Sequence, residues 1–209
     1  TLTDADVRRL LALAPNLRCL DLSENHECLS LQVFDALRAL EPPPPLRALF
    51  LPRPRGLTHF RLVSVLGRFA GLQALDVPLT QPSTSAILTS RQLETLHIGG
   101  PVTEDLLDLL LAGALPNLKD LALIHCPGGF LAKLSQRFPL ESVALPLEPP
   151  CSYKDVVAIL VACGPKLRNV NILARPSAWS SGEFGSLLAR HCPNLVTLSS
   201  HAPLPLSGP

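Results

Sequence analysis

The residues with the widest chemical repertoire in this chain are its six His, its six Cys, its scattered carboxylates and one glycine pair. His26 with Cys28, His125 with Cys126 and His191 with Cys192 are close neighbours, as metal ligands can be. There is no Cys-x-x-Cys pair, however, and none of these spacings is that of a zinc finger, so free buried thiols are the favoured reading. Gly99-Gly100 lies between a strand-like and a helix-like segment, the context in which glycines cradle phosphate. Neither the G-x-G-x-x-G nor the G-x-x-x-x-G-K-[ST] spacing that such a cradle needs is present. Asp4 with Asp6 and Glu104 with Asp105 bring carboxylates together as an acid–base site would, but each pair falls in the first turn of a helical pattern. Negative charge there complements the helix dipole. The Ser, His and Asp residues form no nucleophile elbow. No catalytic, cofactor-binding or metal-ligating residue is assigned, no cofactor is expected, and the chain reads as a binding protein rather than an enzyme.

Composition narrows the partners. The 209 residues include 46 Leu and 22 Pro, 47% are apolar, 17% are charged and the net charge is +1. So much apolar side chain with so little charge describes a folded chain rather than a disordered one. Near-neutrality removes the electrostatic reason to expect nucleic acid or an acidic membrane as partner, since both need clustered Lys and Arg. No apolar run reaches the ~18 residues that a membrane-spanning helix requires. The chain starts at Thr1 without a signal-peptide pattern and has no Met, which points to a fragment of a longer chain with residues missing upstream.

A surface is then what remains to carry function, and the elements that build it repeat. One frame of Leu, two variable residues, apolar, variable, apolar recurs eight times, beginning at Leu17, Leu46, Leu72, Leu93, Leu118, Leu140, Leu167 and Leu195, the last copy keeping Leu195 and Leu198 but losing its final apolar position to Ser200. Successive starts are 29, 26, 21, 25, 22, 27 and 28 residues apart. These spacings fall in the range of about 20–29 residues that defines leucine-rich repeats. From its third residue the frame alternates outward and inward, as in a short strand with one buried face.

The segments between frames read as helices, Val7, Leu10, Leu11 and Ala14 marking the first by their i, i+3, i+4, i+7 spacing. Ser152 with Asp155 and Ser180 with Glu183 fit capping boxes, while Val102 with Leu107 and Trp179 with Phe184 fit hydrophobic staples. Pro15, Pro45, Pro116, Pro139, Pro165 and Pro193 precede strands by one or two residues, where proline ends a helix and biases its neighbour to extended geometry. The other prolines are expected after strands or in loops, Pro101 among them. The reading is an α/β leucine-rich-repeat solenoid of about eight repeats, curved, with a parallel sheet on the concave side and helices on the convex side. It is a single domain over residues 1–209 whose Pro-rich residues 201–209 form a C-terminal tail.

Residues leading into several strands are more particular: Leu188-Ala189-Arg190-His191-Cys192-Pro193-Asn194-Leu195, Leu160-Val161-Ala162-Cys163-Gly164-Pro165-Lys166-Leu167 and Leu111-Ala112-Gly113-Ala114-Leu115-Pro116-Asn117-Leu118. Cys126 and Asn25 stand at the ninth position of their frames. This pattern resembles the cysteine-containing repeats of the F-box/leucine-rich-repeat proteins, the substrate receptors of cullin–RING ubiquitin ligases. Only one frame has Cys at the ninth position, and these residues contain no F-box. The resemblance implies a non-catalytic substrate-recognition domain in a ubiquitin ligase complex, with an F-box-binding adaptor engaged through a missing N-terminal segment. The alternative is a leucine-rich-repeat scaffold or protein inhibitor without a ligase link. An enzyme such as a GTPase-activating leucine-rich-repeat protein comes third, because no catalytic Arg is singled out. The lack of clustered cysteine caps points to a cytoplasmic or nuclear location.

On such a solenoid the third, fifth and seventh frame positions face outward from the concave sheet. They are mostly small and uncharged, with Asp21, Asp76 and Asp120 spaced along them and Phe50, Ile124 and Leu173 as apolar points. A few apolar anchors among small polar residues suit an extended peptide or a protein face. The candidate partner-binding residues are Phe50, Asp76, His97, Asp120, Ile124 and His125.

Overall fold

A computed structural model describes residues 2–25, 29–51, 59–77, 87, 90–125, 129–145, 153–173 and 181–200. Eight strands form one open, all-parallel sheet in strict chain order. They are β1 (Cys19–Asp21), β2 (Ala48–Phe50), β3 (Ala74–Val77), β4 (Thr95–Pro101), β5 (Asp120–His125), β6 (Ser142–Leu145), β7 (Asn169–Ile172) and β8 (Thr197–Ser200). Helix α1 (Asp4–Leu13) precedes β1, and between strands run α2 (Gln32–Ala39), α3 (His59–Leu66), α4 (Glu104–Leu111), α5 (Phe130–Arg137), α6 (Tyr153–Cys163) and α7 (Ser181–His191).

The register follows the leucine frame at every step. Cys19, Ala48, Ala74, Thr95, Asp120, Ser142, Asn169 and Thr197, each third in its frame, are successive Cα partners across the sheet. The reason is burial: with a side-chain period of 2, a slip of one residue would turn the inward leucines to solvent. Leu20, Leu49, Leu75, Leu96, Leu121, Val143 and Val170 are all buried against the helices in one continuous core. The frame's first Leu is buried as well from Leu46 through Leu167.

The residue just before each strand adds a second tie. The Arg18 carbonyl accepts from the Arg47 N–H at 2.7 Å and the Ala48 N–H at 3.0 Å, and the same fork recurs at Arg47, Gln73, Glu94, Lys119, Glu141 and Arg168. Each carbonyl thereby satisfies two donors of the next unit, leaving no orphan where the chain enters the sheet.

Helix ends use local chemistry. Thr3 caps α1 in a capping box with Asp6: its hydroxyl oxygen accepts from the Asp6 N–H at 3.3 Å and its own N–H donates to the Asp6 carboxylate at 2.9 Å. Asp4 accepts from the Ser30 N–H at 2.9 Å and so ties α1 to the segment that starts α2. Val102 precedes the Thr103 cap of α4, and both it and Leu107 pack on the core, as the staple spacing predicts. Ser152, Trp179 and Ser180 lie outside the described residues, as does the tail at 201–209. Gly113 ends α4 at φ 79°, its N–H donating to the Leu110 carbonyl while the Ala114 N–H donates to that of Leu109. This two-bond closure needs the left-handed conformation that glycine adopts without strain.

Two details differ from the sequence reading. β4 runs on through Gly99 and Gly100 to Pro101, with a register shift between Ile98 and Pro101 before Pro101 pairs with His125. The shift lets a residue without an N–H end the strand. Leu10, expected on the buried stripe of α1, is 37% exposed while Val7 and Leu11 are buried. No described helix lies on the outer side of α1 to cover it.

Candidate functional site

The helices occupy one face of the sheet, and the frame's third and fifth positions project from the other. On that free face Phe50 of β2, Asp76 of β3, His97 of β4 and Ala122 of β5 form one cross-strand row. Asp120 stands one pleat earlier on β5, opposite Thr95 and diagonal to His97. Diagonal neighbours in a sheet remain within reach of long side chains. His97 spans the gap: its Nδ1 lies 3.7 Å from Asp76 Oδ2 and its Nε2 3.3 Å from Asp120 Oδ1.

Electrostatics set the charge on the ring. Partial burial penalises the imidazolium, but the carboxylates of Asp120 and Asp76 overcome that penalty and raise the pKa of His97 to about 9. For Asp120, burial pushes upward, yet the bond to His97 and a second from Ser142 on β6 bring its carboxyl below the usual value. At neutral pH the group is a cation held between two anions.

A depression of about 250 Å³ opens over this triplet, lined also by Gly99, Ala122, Ser142, Ala144, Asn171 and Leu173. Asn171 Oδ1 is buried without a hydrogen-bond partner. The structure thus brings together Asp76, His97 and Asp120 and places half-buried Phe50 next to Asp76 in the row. Ile124 and His125 occupy the last two positions of β5, and their side chains lie outside what the structure describes.

Asp21 is already committed, because its carboxylate accepts from the Ser23 N–H at 3.0 Å and the Ser23 hydroxyl at 2.7 Å. Ser142 and Asn171 were not singled out by sequence. Their signal is positional: they take the third and fifth places of the two frames after that of Asp120.

Cys163 and Cys192 are buried, the Cys163 thiol donating to the Phe138 carbonyl at 3.5 Å, and desolvation raises both thiols, so neither is a ready nucleophile. Among the described residues no group of three or more His, Cys, Asp or Glu is arranged to hold a metal ion, and no helix is long and apolar enough to cross a membrane. Compared with known proteins, the chain matches no family model and no curated protein.

Proposed function

We propose that the chain is a leucine-rich-repeat solenoid that binds a protein partner on the helix-free face of its sheet, and that it serves as the substrate-recognition domain of an F-box-type ubiquitin ligase receptor. The observation that carries the binding reading is the depression at Asp76, His97 and Asp120, where polar groups converge on an otherwise small-residue surface. Interaction sites depend on a few such anchors set in neutral surroundings. The leucine-rich-repeat assignment is supported by the eight in-register frames and by the carbonyl fork repeated at each of the seven junctions. The ligase connection is supported by the sequence resemblance alone. A scaffold or inhibitor built on the same solenoid is the second reading, since the depression and the repeated frames fit it equally well.

The test is co-purification from cells expressing the full-length protein. A receptor recovers the F-box-binding adaptor in both the wild type and the Asp76→Asn/Asp120→Asn variant, and only the variant loses its recognised protein. Recovery of a partner without adaptor selects the scaffold reading.

A further inference from the structure

We propose that the depression at Asp76, His97 and Asp120 receives the basic side chain of a partner polypeptide, an arginine or lysine whose cationic head meets the carboxylates and the Asn171 carbonyl oxygen. This rests on the reading of the helix-free face as a protein-binding surface and names what that surface selects.

Charge is the first argument. Two carboxylates and one imidazolium leave the described lining net negative, and among the described residues no Lys or Arg lines the depression. His97 contacts one oxygen of each carboxylate, and a carboxylate has further lone pairs to offer. Asn171 supplies the second argument. Its Oδ1 is covered and has no donor, which costs about 1–3 kcal/mol, and a turn of the side chain into the depression would present that oxygen to a ligand N–H and relieve the cost. Shape is the third. Ala122, Ala144 and Leu173 give apolar walls against which the methylene stem of a long basic side chain can lie. A volume of about 250 Å³ accepts one such side chain and falls below the range of about 300–1,000 Å³ typical of small-molecule pockets.

His97 tunes the site. Among the described residues the titratable groups facing it are Asp76 from β3 and Asp120 from β5, with none contributed by its own strand. Loss of its proton as pH rises through about 9 leaves both carboxylates uncompensated and strengthens cation binding.

The experiment is an NMR titration of the isotope-labelled chain with N-acetyl-arginine amide, N-acetyl-lysine amide and, as neutral isostere, N-acetyl-citrulline amide. The expected result is saturable shifts of the His97 ring and the Asn171 side-chain amide with the arginine or lysine probe and none with citrulline. Binding should weaken at least fivefold in Asp76→Asn and, independently, in Asn171→Ala, each variant checked for an unchanged amide fingerprint elsewhere. It should tighten between pH 7 and pH 10. Equal shifts with citrulline, or no saturable shift with either cation, overturn the proposal. Capture of a protein partner that excess arginine probe does not compete away also overturns it, while leaving the protein-binding reading of the face intact.

Discussion

His97 has one ring nitrogen toward each of two carboxylates, and this geometry has a pH signature. Its folded pKa is raised from 6.5 to about 9, so the stability it contributes is present in full below pH 6.5 and is lost as pH rises through about 9. Asp120 works in the opposite direction: its lowered pKa stabilises the fold above the normal carboxylate range, and that contribution is lost as pH falls through the depressed value. The wild type should therefore lose its stability advantage over His97→Gln as pH rises from 7 to 10, measured by denaturant unfolding. A constant difference across that range, or titration of the His97 ring near 6.5 by NMR, would contradict the assignment. The three residue types were legible in sequence as points on one face, but their contact was not. It depends on how the His97 ring reaches one pleat diagonally from β4 to Asp120 on β5, a side-chain placement that the frame does not encode. Gly164 was similarly unreadable: a Cβ there would stand 2.1 Å from the Leu160 carbonyl oxygen and 2.3 Å from that of His191. Both neighbours are backbone and cannot turn aside. Gly164→Ala should cost at least the ~1–3 kcal/mol typical of overpacking, read from the shift of the unfolding midpoint.

At the level of elements, the inward leucines dictate strand position so strongly that all eight strands were legible before any coordinates. Local endings were less so. Thr3 with Asp6 makes a capping box although Asp is shorter than the usual Glu or Gln of that motif, and the extension of β4 to Pro101 turns on a register shift with no sequence signature. Thr3→Ala should lower stability by about 0.5–2 kcal/mol by removing the cap of α1. The strands are not energetically equal. Leu121 in β5 is fully buried, whereas Leu198 in β8 is 37% exposed. Leu121→Ala should cost about 2–5 kcal/mol, and Leu198→Ala should cost under about 1 kcal/mol because little transfer energy or cavity is at stake. Equal costs at the two positions would mean that β8 is packed as tightly as the centre.

Across the whole molecule, each strand and helix buries its apolar face against the units before and after it in one continuous core. This nearest-neighbour arrangement sheds apolar side chains onto the outermost units, where Leu13 is 74% and Val196 77% exposed. Among the described residues it also leaves one face of the sheet without a covering helix, which is the surface proposed for a partner. The most direct measurement of that assignment is photo-cross-linking in cells with a reactive residue placed either at Asn169, exposed on β7 of the free face, or at Val161, 54% exposed on α6. A partner on the helix-free face gives a protein adduct from position 169 that disappears in the Asp76→Asn/Asp120→Asn background and no matching adduct from position 161. An adduct formed from position 161 alone would place the partner on the helices and contradict that assignment.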